Sequence, residues 1–422
     1  MKIIYEVTVV VKKRSFPSFI DELYKRDCEL LDLQHIEETE EGYLYTLSIA
    51  SGSLKRFEEF VTIIGSAGEK YKVISVKNAL EERAVGGLIN VSGRMPVENS
   101  AEFNTWVLGA AGFIREKIQK EKGLAYTGIP RSVGLISGIR SGNEAEREHM
   151  LREYAGAERD AVIINRFAGL NGFPLTVRFD HPEDIIRAMK QIEQNFSAMR
   201  ISRIDDASVM LYELIYSELT VPVISLEHDE IPLYLFLLIL KILLKYRLKP
   251  EETTIGFVGI DLSAVRLARV LGVVRFRRVL GCDQSEKAML ALENQGGLAT
   301  TAENIFSNAD ITLILKSHYS REELLKIRPG QFVISFMSEE GLGMDIISDK
   351  GVRELIIQDP AVLAALFPGI LRGIIESGLR SMNDLKIIEY SKKLAGFLSD
   401  TFEFPNLFSD IHDRVYAAVR AN

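Results

Sequence analysis

The chain is poor in cysteine and offers no cysteine-based site. Its 422 residues include only Cys28 and Cys282, which lie far apart. Metal-binding and redox motifs place cysteines a few residues apart, and small secreted scaffolds need several disulfides. The scarcity of cysteine therefore excludes a zinc ribbon, a dithiol redox motif and a disulfide framework, and we expect a cytoplasmic protein.

Long apolar runs, an excess of positive charge and several common enzyme motifs are also missing. The longest apolar stretch, residues 231–244, contains Pro232 and Lys241 and is shorter than the roughly 20 residues that a membrane span needs. Net charge is −8, which gives no reason to expect binding to nucleic acid or to a membrane surface. Glu6 interrupts the first apolar run, so we expect no signal peptide. The sequence has neither a Gly-x-Ser-x-Gly nor a Walker-type loop.

The alternation of apolar runs and helical patterns predicts an α/β protein with three domains. Residues 1–78 have the order βαββαβ, which is the ferredoxin-like pattern. Residues 79–249 and 250–422 alternate strands with helices, which predicts two αβ domains with buried parallel sheets. In the middle domain we expect strands at 133–136, 161–164, 175–177 and 221–224, and a buried helix at 231–246.

The most informative local pattern is a glycine-containing turn between a predicted strand and a helix. Gly256 lies in the strand, Gly259 and Ala264 occupy the first and third positions of a G-x-G-x-x-G/A fingerprint, and the next strand ends at Asp283. This layout is typical of an NAD(P)-binding turn with an acid for the ribose. Asp261 replaces the second glycine and brings negative charge to the pyrophosphate position, at a cost of roughly several kcal/mol. Two interpretations remain: a damaged NAD(P) site, or a plain αβ unit with an Asp261 helix cap.

Residues 1–78 resemble an ACT domain, a small regulatory module that often binds amino acids. The resemblance rests on the βαββαβ order, the length and the run at residues 21–33. The turn after the first strand, residues 14–18, lacks the glycine that many such domains place beside their ligand. The resemblance therefore implies either binding of an amino or organic acid or a dimerisation module.

Residues 80–415 resemble the malic enzyme family. Segments similar to family motifs occur in family order at residues 86–97, 104–111, 166–174 and 367–373. The resemblance implies a substrate domain followed by a Rossmann-type NAD(P)-binding domain, and a homodimer or higher homo-oligomer. It also implies oxidative decarboxylation of malate with a nicotinamide cofactor and Mg²⁺ or Mn²⁺.

Several catalytic positions depart from the pattern of the malic enzymes. Trp106 stands where the family has its tyrosine acid, and an indole has no useful acidity. Asp160 falls near the position of the family's lysine base. Residues 337–340 and 362–366 replace segments that carry the family's asparagines.

The acidic metal ligands of the family have three possible counterparts. Asp205, Asp206 and Glu227 lie in the matching stretches and could hold Mg²⁺ or Mn²⁺ through oxygen atoms. Arg203 lies beside the aspartate pair, so salt-bridged or solvated acids are the other interpretation.

We therefore expect a catalytically degenerate homologue of malic enzyme that senses a small molecule or acts as a regulatory, oligomeric protein. The alternative is an active NAD(P)-dependent malic enzyme regulated by its ACT domain. Loss of one acid–base or electrostatic group costs a factor of roughly 10² to 10⁴ in rate. Four sites are altered, namely the acid, the base, the pyrophosphate turn and the asparagine segments, and together they favour the first expectation.

Overall fold

The structure is a computed structural model that describes residues 3–12, 14–79, 87–89, 97–121, 125–142, 146–336, 342–358 and 360–420. The chain divides into two compact units, 1–90 and 91–422, which we describe separately. The boundary predicted after residue 78 precedes this division, and the boundary predicted after residue 249 separates two sheets of the second unit. In the described ranges, no helix is both long and apolar enough to cross a membrane.

The first unit is a four-stranded antiparallel sheet with two helices. Its elements are β1 (Ile3–Val11), α1 (Phe16–Tyr24), β2 (Cys28–Glu38), β3 (Tyr43–Ser51), α2 (Leu54–Ser66) and β4 (Tyr71–Asn78). The strand order is β2-β3-β1-β4. Alternate residues of β1 are buried, Val7 and Val9 among them, because side chains of a strand alternate between its two faces. Tyr5 stacks on Phe57 of α2 with ring centroids 3.6 Å apart. The assignment of this unit as an ACT domain stays a prediction.

The second unit contains two parallel sheets, the first with strand order β6-β5-β7-β8. Its strands are β5 (Ser132–Arg140), β6 (Asn171–Phe179), β7 (Ala198–Ile204) and β8 (Val223–Ser225). The helices of this part are α3 (Ala110–Glu121), α4 (Glu146–Ala168), α5 (Pro182–Ile192) and α6 (Val209–Glu218). The central strand β5 is buried except at Arg140, since β6 and β7 pair with it on both sides.

The prediction of a strand at residues 161–164 is wrong, because these residues lie inside α4. Ala161 and Ile164 are buried, whereas Val162 is exposed, which is the spacing of one helix face. The short β-branched run was therefore one part of a longer helical pattern, and its local strand preference was overridden by packing.

The second sheet is doubly wound, with strand order β11-β10-β9-β12-β13-β14. Its strands are β9 (Thr254–Val258), β10 (Arg278–Cys282), β11 (Leu298–Ala299), β12 (Ile311–Ile314), β13 (Phe332–Ser335) and β14 (Glu354–Ile357). The intervening helices are α8 (Leu262–Val274), α9 (Glu286–Glu293), α10 (Ala302–Asn308), α11 (Arg321–Leu324) and α12 (Met344–Asp349). The strand order reverses between β9 and β12, which is where ligands bind in sheets of this kind.

Long helices pack around the two sheets of the second unit. They are α7 (Ile231–Tyr246), α13 (Phe367–Ser377), α14 (Asp384–Leu394) and α15 (Ile411–Arg420). The helix expected at 231–246 is α7, which begins with Pro232 in its first turn and is followed by Arg247 at φ +55°. Proline suits a first helical turn because its nitrogen has no N–H to leave unpaired.

Candidate functional site

The glycine-containing turn connects β9 to α8 at the switch point of the second sheet. Gly259 has φ +82°, a conformation that glycine adopts without strain. A Cβ atom at Gly259 would lie 2.5 Å from Cβ of Lys316 and 2.7 Å from its backbone nitrogen. A Cβ at Gly256 would lie 2.3 Å from a methyl carbon of Ile305. Both glycines therefore allow close packing within the chain itself.

Asp261 caps α8. Its Oδ1 accepts hydrogen bonds from the backbone N–H of Ala264 at 2.9 Å and from the hydroxyl of Ser263 at 2.6 Å. An N-terminal helix turn leaves backbone N–H groups unpaired, and these groups bind the pyrophosphate in dinucleotide sites. The carboxylate of Asp261 thus satisfies a donor that a dinucleotide would use.

Asp283 lies at the end of β10 and is enclosed by donors of the chain. Its carboxylate accepts hydrogen bonds from the backbone N–H of Ile260 at 2.7 Å and of Ser285 at 2.8 Å, and from Nζ of Lys316 at 3.0 Å. The side chain is 2% exposed. Burial opposes ionisation, but these donors hold the pKa of Asp283 below its usual range.

The arrangement of these side chains does not fit a bound dinucleotide. Two carboxylates already accept from the turn's amides at Ile260 and Ala264, and Lys316 also donates to the carbonyl of Ile260 at 2.7 Å. A pyrophosphate and a ribose would each have to displace one of these internal partners.

Asp160 lies on α4 and pairs with a buried arginine of β7. Nη1 of Arg200 donates to Oδ2 of Asp160 at 2.6 Å, and Nε and Nη2 of Arg200 donate to Glu230 at 2.6 and 2.7 Å. The Arg200 side chain is 2% exposed and its guanidinium lies 4.3 Å from the ring centroid of Phe367. Burial opposes the charge on Arg200, yet the two carboxylates keep its pKa above the usual value. Asp160 is therefore committed to a buried ion-pair network.

The predicted metal ligands lie at the carboxyl ends of β7 and β8. Asp205 accepts from the backbone N–H of Arg140 at 3.1 Å and lies 3.6 Å from Nε of Arg203. Asp206, at φ +54°, pairs instead with the Arg140 side chain at 2.5 Å. Within the described ranges, no group of three or more His, Cys, Asp or Glu side chains is arranged to hold a metal ion. The metal site stays a prediction from the sequence.

Glu227 is an acid of this edge whose pKa lies well above its usual value. Burial raises the pKa of Glu227 to about 7, and the Asp261 carboxylate adds to the effect while Arg203 opposes it. His149 of α4 lies nearby, 3.5 Å from Glu153 and 3.6 Å from Asp205. The carboxyl ends of the two sheets thus share a group of titratable side chains, which is where an acid–base site is expected in a fold of this kind.

Comparisons with known proteins place this geometry in context. No family model matches the chain. NAD-dependent malic enzyme 1 of Bacillus subtilis (strain 168) is 23% identical over 410 residues, which cover 92% of this chain and 90% of the relative. The NAD-dependent malic enzyme of Geobacillus stearothermophilus is 21% identical over 82% of this chain and 79% of its own.

Solved structures give the same result for the fold. The NAD-dependent malic enzyme of Thermotoga maritima superposes with a TM-score of 0.68 at 16% identity, covering 82% of this chain and 99% of that one. The malic enzyme of Pyrococcus horikoshii has a TM-score of 0.65 at 18% identity, over 81% and 90%. The chain is similar to malic enzymes in sequence and in fold.

The other positions that we expect to differ from the malic enzymes lie only partly within the described residues. Trp106 lies in the π-helical segment Phe103–Gly109, and its side chain is outside the described part of the structure, as are residues 337–340. Within the expected segment 362–366, Leu363 and Leu366 are buried and pack in the core. This stretch therefore presents apolar side chains to the interior.

Sequence reasoning missed the partners that give these residues their roles. Arg200 and Glu230 carried no motif, and Lys316 lies two residues after β12 in a segment that no pattern singled out. A buried arginine in a strand such as β7 is a usable signal, because arginine is almost never fully buried unless it is paired. That signal alone does not name the partner.

Proposed function

We propose that the protein is a catalytically inactive homologue of malic enzyme that acts as a regulatory protein responding to a small molecule. The main observation that supports this proposal concerns the turn between β9 and α8, where Asp261 and Asp283 accept hydrogen bonds from backbone amides of the turn. A protein of this fold that holds its own carboxylates against these amides gives up the binding energy that a nicotinamide dinucleotide needs.

The pairing of Asp160 supports the same conclusion. A general base must reach a substrate proton and must be free to accept it. Both oxygens of Asp160 are engaged, Oδ2 by Arg200 and Oδ1 by Arg159 at 2.9 Å. Both oxygens are occupied by guanidinium donors of the chain, so Asp160 is a structural residue in this proposal.

Sensing is proposed from two features of the chain. One is the group of Glu227, His149, Glu153 and Asp205 at the carboxyl ends of the two sheets, which we call the cleft, and the other is the first unit. Glu227, with its pKa near 7, gives the cleft a group that changes charge near neutral pH, and His149 lies 3.6 Å from Asp205 at the same edge. The first unit has the element order of small regulatory modules, and we assign to it the binding of an amino acid or organic acid, or the joining of two copies of the chain.

An active NAD-dependent malic enzyme is the second candidate. It is favoured by the 23% identity to the Bacillus subtilis enzyme over 92% of this chain. In this case the side chains at the turn would move to admit the cofactor, and the acids near Glu227 would act in proton transfer.

A steady-state assay separates the two candidates. Purified full-length protein, malate, Mn²⁺ and NAD or NADP should give no reduced cofactor above a mock purification. Isothermal titration should give no saturable heat with NAD at sub-millimolar concentration. Turnover that is abolished in Glu227→Gln, a variant that removes an acid and keeps the side-chain shape, would overturn the proposal.

The sensing role is tested by thermal shift of the full chain against amino acids and organic acids. Binding to the folded state raises the midpoint by an amount that grows with ligand concentration. A concentration-dependent rise for one compound supports the proposal and names its ligand class. Absence of a rise across the set would contradict sensing while leaving the result of the turnover assay unaffected.

A further inference from the structure

A second cavity lies at the opposite edge of the first parallel sheet from the acids near Glu227. It occupies about 560 Å³ between the end of α4, the turn before β5 and the second half of α13. Its size falls within the range of small-molecule sites, roughly 300–1,000 Å³. The cavity therefore has room for a ligand and belongs to a different part of the fold from the cleft.

Three arginines line this cavity. Arg131 ends the 3-10 turn Ile129–Arg131, Arg166 lies in the last turn of α4, and Arg372 lies on α13. In the part of the chain that the structure describes, the guanidinium groups of Arg131 and Arg166 form no ion pair. The guanidinium carbon of Arg166 lies 5.9 Å from the centroid of the Phe408 ring.

Among the described residues, one acid lines the cavity, and its charge is already neutralised. Glu376 pairs with Nε of Arg372 at 3.3 Å, accepts from the hydroxyl of Tyr416 and lies 3.6 Å from Arg420. Hydrogen bonding by Tyr416 and Arg372 lowers the pKa of Glu376, so it is ionised at neutral pH. One negative charge and three positive charges leave the lining with an excess of two positive charges.

The third arginine keeps unused donors. Arg372 has two carboxylate contacts, Glu376 at 3.3 Å and Asp413 at 3.4 Å, and stacks at 4.1 Å on the ring of Tyr416. Charge-assisted N–H···O bonds are usually about 2.7–2.9 Å long, so both contacts are loose. A guanidinium has five N–H donors in a planar fork, and stacking holds that plane in place. Arg372 is therefore positioned to accept a further anionic partner.

A helix end explains only part of this arrangement. Cations are stabilised near the carboxyl end of a helix, which accounts for Arg166 on α4. Arg131 lies on another element, and α4 gives no reason for its presence beside Arg166. Like charges gathered at one cavity repel each other, and a bound anion with several oxygens removes that repulsion.

We propose that Arg131, Arg166 and Arg372 form a binding site for a small polyvalent anion, a dicarboxylate, tricarboxylate or phosphate. Planar guanidinium forks bind carboxylate and phosphate oxygens in pairs, and these two groups are the shared chemistry of the ligand. Glu153, which lies near Glu227, and Arg166, which lines the cavity, are thirteen positions apart on α4. This spacing is about 20 Å along a helix. The anion site is thus remote from the cleft and does not depend on whether the cleft is catalytic.

The test is isothermal titration of the full chain with phosphate, succinate and citrate, each against sodium chloride of matched ionic strength. We expect saturable binding of at least one anion, and the preferred probe distinguishes a phosphate ligand from a carboxylate ligand. Arg166→Gln and Arg131→Gln should each weaken binding by about tenfold or more, because each removes a charge-assisted pair. Arg166→Lys, which keeps the charge and loses the fork, should fall between wild type and Arg166→Gln.

The matched control is Arg187→Gln, an exposed arginine of α5 that pairs with Asp184. It removes the same net charge and should leave anion binding unchanged. The proposal is overturned if none of the three probes binds beyond the chloride baseline. It is also overturned if Arg131→Gln and Arg166→Gln, confirmed folded by circular dichroism, bind as tightly as the Arg187→Gln control.

Discussion

Nζ of Lys316 lies 3.0 Å from the carboxylate of Asp283. The contact joins the segment after β12 to the end of β10, and β9 lies between them in the sheet. A cation of the chain thus lies across the switch point, where a doubly wound sheet ordinarily binds its ligand. The ion pair holds the acid that would otherwise accept from a ribose.

Asp261→Gly should create measurable affinity for NAD. Glycine restores the G-x-G-x-x-A pattern, frees the N–H of Ala264 and removes a negative charge from the pyrophosphate position. We expect a saturable signal in isothermal titration where wild type gives none. Loss of the cap to glycine costs only a few tenths of a kcal/mol, so the variant should fold.

Asp261→Asn is the control for this change. Asparagine removes the charge but still accepts from the helix amide, so the cap remains and NAD should not bind. Addition of Lys316→Gln to Asp261→Gly should strengthen binding, since it removes one of the three donors that hold the Asp283 carboxylate. If Asp261→Gly and the double variant both fail to bind NAD, the internal carboxylate is not what blocks the site.

Asp160→Ala should be strongly destabilising. It leaves Arg200 with one carboxylate in a buried site, and breaking such a network costs about 3–5 kcal/mol. The measurement is the free energy of unfolding from urea denaturation. Arg159→Gln is the matched control: it removes the other partner of Asp160, but Arg159 is 62% exposed, so the cost should stay below about 1 kcal/mol. A similar small loss for both variants would show that Asp160 is not needed to neutralise Arg200.

Around the glycine-containing turn the sequence carried enough information for the order of elements but not for the roles of single acids. The β9–α8–β10 unit was predictable because glycine, helix cap and strand follow one another within a short segment. The sequence around Asp261 fits both a damaged cofactor site and a helix cap. Only the direction of the Asp261 side chain separates the two interpretations. The structure places the carboxylate on the Ala264 N–H, which is the capping geometry.

Contacts between distant segments were beyond local pattern reasoning. The sequence places Asp160 near the position of a lysine base, but its partner Arg200 lies forty residues away on β7. Likewise, the run at 161–164 predicts a strand, because four residues are too few to separate a helix period from a strand period. In both cases the deciding information is tertiary: which side chains the fold brings together.

The stability of the second unit should depend on the ionisation of Glu227. Its pKa is about 7 in the folded state and near 4.3 when unfolded, so the folded state binds the proton more tightly. This contribution is therefore fully present below about pH 4 and is lost as pH rises through about 7, by an amount on the order of 3–4 kcal/mol. Other groups titrate too, so the comparison with a variant isolates this one.

Glu227→Gln is the variant for that comparison, because glutamine keeps the shape and cannot ionise. The free energy of unfolding of the variant minus that of wild type should be larger at pH 8 than at pH 5. Urea denaturation of both proteins at both pH values measures this difference. Glu213→Gln, at an exposed site on α6, should show no such difference. Equal pH dependence of wild type and Glu227→Gln would refute the assignment.

Gly259→Ala tests whether this glycine is required by the fold rather than by a ligand. Its φ of +82° strains any residue with a Cβ, and that Cβ would lie 2.7 Å from the backbone nitrogen of Lys316. Backbone cannot move aside as a flexible side chain does, so we expect a loss of about 2–4 kcal/mol in the free energy of unfolding. Gly272→Ala, in α8 with open space around its Cβ, should instead stabilise by up to about 1 kcal/mol. Because neither measurement includes a nucleotide, a large loss at Gly259 alone assigns the glycine to packing against Lys316. Similar stabilities for the two variants would leave ligand binding as the reason for Gly259.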